Sequence, residues 1–154
     1  MLKGLQLELA LNQMHHMNQS EIGLAKMAES KAKTPSVLNF AHQLRAEHEA
    51  MEKKVEALAG ARNVSLERFE LNTYEKVVKN RLNRLTAPDF ETAFLRVTDR
   101  NHDMAEADLR LIRDDVNDER VTALVDESLP IIHAHKDMSV YKGRAGVEEG
   151  DLGE

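Results

Sequence analysis

Glu21, His48, His102 and His135 each interrupt an apolar stripe near its middle. The first stripe reads Met14, Met17, Glu21, Leu24, Ala28, and the second Val37, Ala41, Leu44, His48, Met51, Val55, Leu58. The third reads Leu95, Thr98, His102, Ala105, Leu109, Ile112, and the fourth Val121, Leu124, Ser128, Ile131, His135, Met138. Steps of three and four residues place each stripe along one buried face of a helix. A core position is costly for a carboxylate or an imidazole without a partner. Four such residues, one from each helix, point to one another or to a shared cation. Three imidazoles and one carboxylate suit Zn²⁺, which takes four N, O or S ligands in a tetrahedron. Neutral imidazole also suits iron, copper and nickel. The competing reading is a metal-free polar cluster in which an ionised Glu21 accepts hydrogen bonds from one or more histidines.

A larger site can be drawn. Glu52 follows His48 by four residues and Glu106 follows His102 by four, so each pair shares a helix face one turn apart. If the second and third long helices run parallel, both carboxylates fall on one side of the histidine layer, and two metals could be held. Otherwise Glu52 and Glu106 are surface charges or acceptors behind the histidine rings. Met14-His15-His16-Met17 has copper-binding residue types. Its methionines lie on the stripe, however, and its histidines flank it. His133 and His135 are ~200° apart on a helix and cannot chelate one ion together. His42 lies at a stripe edge. The chain has no nucleophile–base pattern, phosphate-binding glycine loop or cysteine.

Four long helices must position these residues. The first is expected from about Leu5 to Ala32, ended by Thr34-Pro35, which can cap and open the second. The second runs to Gly60. A connection over 61–87 follows, holding a short amphipathic helix over 74–85 whose other faces, with Lys76, Lys79, Arg81 and Arg84, read as solvated. The third is expected from Pro88 to Asp115, with Thr86 and Asp89 at capping-box spacing. The fourth, capped by Asn117 or Asp118, runs to Tyr141 through Pro130, which removes a backbone donor and is expected to bend it before His135. At 1.5 Å per residue, all four candidate ligands lie ~18–25 Å from a helix end, so they could share one layer. The fold expected is all-α: a four-helix bundle over 1–141 with a helical crossover between the second and third long helices, and a flexible tail over 142–154.

Composition agrees. The 154 residues suit one core. Only three prolines and seven glycines occur, four of the glycines within the last dozen residues, so the body is nearly free of helix breakers. A net charge of −6 without a basic run argues against nucleic acid as a partner. No apolar run is long enough to span a membrane, and the start lacks a signal-peptide core. The expectation is either a cytoplasmic protein or a mature form whose leader was removed. A homo-oligomer is compatible with the sequence.

Four short runs in order carry a family resemblance. They are Ser20-Glu21-Ile22-Gly23-Leu24-Ala25; Val37-Leu38-Asn39-Phe40-Ala41 leading to Glu47-His48; Asp89-Phe90-Glu91 leading to Asn101-His102; and Leu129-Pro130 leading to His135. Over residues 10 to 141 the chain resembles the bacterial ferritin-like family catalogued as domain of unknown function 4142. The resemblance implies a ferritin-like four-helix bundle with a crossover, export of many relatives to the periplasm or cell envelope, and functional positions at Glu21, His48, His102 and His135. It supplies no reaction. Thr86-Ala87-Pro88 departs from the glycine that relatives often carry there, which touches a helix start only. The chain also departs from the di-iron ferritin pattern of two Glu-x-x-His motifs, since Arg45 and Ile132 stand three before His48 and His135. Its His-x-x-x-Glu pairs resemble hemerythrin in part. The leading reading is a metal-binding bundle holding one zinc or similar divalent ion, with iron or copper as the other candidates. The alternatives are a redox protein with a dinuclear iron site, and a metal-free envelope or stress protein acting through its surface.

Overall fold

The computed structural model describes the backbone of residues 2–151 and the side chains of residue 4 and residues 6–139. It contains five helices and, among the described residues, no strand: α1 (Leu2–Lys31), α2 (Pro35–Ala61), α3 (Thr73–Arg84), α4 (Asp89–Asp115) and α5 (Glu119–Asp151). The tail expected over 142–154 lies outside the residues described in side-chain detail, and 152–154 lie outside the described residues altogether. No helix among the described residues is long and apolar enough to cross a membrane.

The helix ends follow local chemistry. Asp118 Oδ1 accepts from the backbone N–H groups of Arg120 and Val121, which caps α5. Asn72 and Glu75 form a reciprocal capping box at the start of α3, a signal the sequence reading passed over. Two expected caps are absent. Thr34 stands before α2 but does not cap it, because its hydroxyl donates to Glu91 Oε2 at 2.8 Å. The Thr86–Asp89 box does not form either. Pro88 holds the cap position of α4, and the backbone carbonyl of Thr86 accepts from Phe90 N–H.

α1 packs along α2 and α4 along α5, and the two pairs meet through α2 with α5 and α1 with α4. The core falls into two apolar clusters. One gathers Leu11 and Met14 of α1, Val55 and Leu58 of α2, Leu109 and Ile112 of α4, and Val121 and Val125 of α5. The other gathers Ala28 of α1, Phe40 and Leu44 of α2, Leu82 of α3, and Phe90 and Phe94 of α4. The stretches between these residues, 15–23 on α1, 45–54 on α2 and 96–108 on α4, therefore cross the middle. This order also fixes the topology. α2 and α4 both run from the second cluster to the first, so they are parallel, and the connection carrying α3 must return along the length of the molecule. Two parallel helices that follow each other in the chain need such a crossover, whereas α1–α2 and α4–α5 are hairpins that need only short turns.

Most stripe positions are buried as the periodicity requires. The fourth stripe drifts by one residue: Ile132 and Ser139 are buried where Ile131 and Met138 were expected, and the latter two are half-buried. Two adjoining rows of side chains share the inner face of α5. Steps of four from Ser128 to Ile132 and from His135 to Ser139 keep the inner row within the core.

Candidate functional site

The middle of the molecule is polar. Asn18, Glu21, His48, Thr98, His102, Ser128 and His135 are all buried there between the two apolar clusters. α2, α4 and α5 each bring one histidine, exposed by only 2%, 1% and 0% for His48, His102 and His135. One ring nitrogen of each lies within 4.8 Å of one from each of the other two. His102 Nε2 stands 3.3 Å from His135 Nδ1. A zinc ion with Zn–N bonds of 2.0–2.1 Å sets its ligand nitrogens roughly 3.3–3.4 Å apart along the tetrahedron edge. The closest pair already has that spacing.

The remaining nitrogen of each ring has its own acceptor. His102 Nδ1 donates to the Thr98 carbonyl oxygen at 2.8 Å. His48 Nδ1 donates to Asn18 Oδ1 at 3.1 Å. His135 Nε2 donates to the Glu47 carboxylate. These acceptors fix the tautomers, so neutral rings turn their lone pairs at His48 Nε2, His102 Nε2 and His135 Nδ1 toward the interior. Two of these lone pairs oppose each other at 3.3 Å, which is repulsive unless a cation or a proton lies between them. Protonation is opposed at His48 and His135. Burial, reinforced by His102 and His135, holds the His48 pKa well below its usual value. Burial and His102 also lower that of His135, against the pull of Glu47. His48 Nε2 is buried and has no hydrogen-bond partner.

Glu21 reaches the same layer from α1 but is not among the three groups whose nitrogens converge. Its Oε1 accepts from Asn101 Nδ2 at 2.9 Å. Its Oε2 has no partner and lies 3.9 Å from His102 Nδ1, the outer nitrogen of that ring. Burial raises the Glu21 pKa, with His102 and Asn101 pulling against the shift. A cavity of about 150 Å³ touches Glu21, His48 and His102, with Met17 and Ile132 also on its wall.

The other candidates turn elsewhere. Because α2 and α4 are parallel, Glu52 and Glu106 do lie on one side of the histidine layer. Glu52, however, accepts from His15 Nδ1, and Glu106 from His133 Nδ1 at 2.8 Å. His15 also reaches the Glu67 carbonyl, His16 pairs with Glu75, and His42 with Glu29, so each of these histidines ties one segment to another.

Sequence reasoning did not single out Glu47 or Asn18. Asn18 was findable, since it stands four after Met14 and three before Glu21 on the buried face of α1. Glu47 sits about 100° around α2 from His48. Only the approach of α5 reveals it as the acceptor for His135.

Residues 5–140 match the family model described as "Domain of unknown function (DUF4142)". No curated protein matches the chain. Among solved structures, the crystal structure of a DUF305 fragment from Deinococcus radiodurans is similar, with a TM-score of 0.80 at 17% identity, covering 90% of this chain and 96% of that one. At that identity the likeness shows a shared all-helical fold.

Proposed function

The chain belongs to the DUF4142 family, and we propose that it is a ferritin-like four-helix bundle that holds one divalent metal ion between His48, His102 and His135, with zinc the best fit. The observation that carries this reading is the pairing of inner and outer ring nitrogens. Each outer nitrogen donates to a carbonyl, an amide oxygen or a carboxylate, while the inner nitrogens face one another inside a buried layer. Histidines that ligate metals have this arrangement, because the outer acceptor fixes the tautomer and raises the basicity of the ligand nitrogen. Without a cation, the same arrangement leaves three buried lone pairs facing one another.

Glu21 supplies the fourth ligand once its carboxylate swings from the outer nitrogen of His102 toward the inner one. Its Oε2 is buried and has no partner, and the residue lines the cavity that also touches His48 and His102. Four protein ligands leave the ion no free position, which favours structure, storage or sensing over hydrolysis. The absence of thiolates leaves imidazole and carboxylate as the donors, a set that zinc accepts and that iron or copper would share. The bundle reading draws on four long helices, two of them parallel and linked by a crossover, and takes residues 1–141 as its extent. A location in the periplasm or envelope, implied by the family resemblance, completes the proposal. Cell fractionation of the natural full-length product checks that part.

The test compares melting curves with and without a strong chelator for the wild type and His102→Ala. A ligand at a hundred to a thousand times its dissociation constant stabilises the folded state by roughly 3–4 kcal/mol. For a chain of this size that is a shift of about ten degrees. The chelator should lower the wild-type melting temperature by about that amount and leave His102→Ala nearly unchanged. Superimposable wild-type curves after full equilibration would sink the proposal and leave a buried hydrogen-bond network.

A further inference from the structure

A second cavity, of about 270 Å³, opens between α1, the crossover and α4, and shares Ser20, Tyr74, Glu75 and Asn101 with the cavity beside the histidine layer. Its origin can be read from the chain. α3 leans on α4 and is tied to α1 at two places only among the described residues. At one end, Glu75 accepts from Ser20 Oγ at 2.6 Å and from His16 Nε2 at 2.7 Å. At the other, Lys31 Nζ donates to the Asn83 carbonyl at 2.7 Å. Between these ties stands Gly23, which has no side chain to fill the gap. A Cβ there would meet no atom within 4 Å.

The walls are apolar. Leu24 and Met27 come from α1, Phe69 and Leu71 from the crossover, Val78 and Leu82 from α3, and Val97 from α4. Leu82 and Leu24 are buried, but Met27, Phe69, Leu71, Val78 and Val97 are only half-buried, so a guest would cover apolar surface now in water. Apolar concavities with a few polar groups at one side are the usual form of small-molecule sites. The charged groups at this one are Lys79 and Glu75. Glu75 is spent on Ser20, His16 and the Asn72 backbone. Lys79 is exposed and makes no ion pair among the described residues. Glu75 stays ionised, but its oxygens are turned to those donors, so Lys79 is the charged group at this cavity left free to meet a guest. Read from the sequence, it had been one of the solvated basic charges of the crossover helix.

We propose that this cavity binds an amphipathic monocarboxylate, with its hydrocarbon body against Gly23, Met27, Phe69 and Val97 and its carboxylate at Lys79. The proposal does not rest on the metal reading, because none of the three histidines lines this cavity, although Asn101, which donates to Glu21, borders both cavities.

Calorimetric titration with decanoate, below micelle-forming concentrations, tests it. Decyltrimethylammonium serves as the comparison because it carries the same chain with the opposite charge. The wild type should bind one decanoate per chain, and more tightly than the cation. Gly23→Phe adds a large side chain on the cavity wall, at a helical position without positive φ where a Cβ meets no atom within 4 Å, and it should abolish binding. Lys79→Gln should weaken decanoate about two- to fivefold, the reach of an exposed ion pair, and erase the preference over the cation. Circular dichroism melts of both variants confirm that they fold. Saturating chelator should leave the decanoate titration unchanged. No binding to folded wild type would overturn the proposal. So would equal affinity for the two amphiphiles, or binding that survives Gly23→Phe.

Discussion

Replacing Glu47 with Gln tests whether the outer acceptors serve a metal. Glu47 accepts from His135 Nε2, while His135 Nδ1 faces His102. In the metal-free protein His135 is neutral, and its N–H donates to the carboxylate. When Nδ1 gives its lone pair to a cation, the ring becomes a stronger donor, and the bond to Glu47 gains charge assistance that an amide cannot match. Substitution of such acceptors costs about 10- to 100-fold in metal affinity, or about 1.4–2.7 kcal/mol. Glu47 is about a third exposed, and water can partly replace it, so the lower half of that range is expected. Competition against a chromophoric zinc chelator at pH 7.5 reads the affinity directly. Glu52→Gln and Glu106→Gln are the controls, because their carboxylates hold His15 and His133 instead. Both should keep wild-type affinity within about twofold, a span of well under 1 kcal/mol. An unchanged affinity in Glu47→Gln would refute the role given to the outer acceptors. A large loss in Glu52→Gln or Glu106→Gln would favour a dinuclear centre.

Acid should release the metal. Burial lowers the pKa values of His48 and His135 in the folded protein, so their contribution to stability is present above the unfolded value near 6.5 and is lost as pH falls through the folded values. Ligation needs the same neutral rings, so metal content measured after dialysis should drop only below about pH 6.5; full retention at pH 4 would count against histidine ligands. Glu21→Gln should behave in two opposite ways. Burial raises the Glu21 pKa, so its folded-state contribution is present below the usual 4.5 and lost as pH rises through the folded value. Chelated Glu21→Gln should therefore melt higher than chelated wild type at pH 8 and bind zinc more weakly; a lower melt at pH 8 would contradict the first half, and unchanged affinity the second. Glu91 accepts from the backbone of Lys33 and Thr34 and from the Thr34 hydroxyl, tying α4 to the α1–α2 turn. Burial pushes its pKa up, but the Thr34 and Lys33 bonds outweigh that and hold it low, so this support is present above pH 4.5 and lost as pH falls through the folded value. Glu91→Ala should cost about 1–3 kcal/mol by urea unfolding at pH 7, and a cost below 0.5 kcal/mol would show that water replaces it fully.

The four stripes were legible because a buried helical face repeats every three or four residues, and nothing else about these segments needed to be known. They gave the long helices, the hairpin turns and three histidines that meet. The short crossover helix was legible from Tyr74, Val78 and Leu85, but its cap at Asn72 was overlooked beside the long connection. Thr34 was misread as a cap because its hydroxyl prefers a carboxylate on α4, a contact 57 residues away in sequence. The direction of α4 relative to α2 could not be read from depth along a helix, which is the same for either sense. The two apolar clusters decide it, because they show which end of each helix lies with which. Glu47 was hidden for a similar reason: its position on α2 is unremarkable until α5 sets His135 beside it.

Elemental analysis tests the central claim most directly. Wild-type protein, purified without chelator, equilibrated with a small excess of zinc and passed through a desalting column, should retain one equivalent per chain. The triple variant His48→Ala, His102→Ala, His135→Ala, shown to be folded by circular dichroism, should retain none. Zinc absent from the wild type, or held equally by the triple variant, would contradict a metal centre at these three histidines.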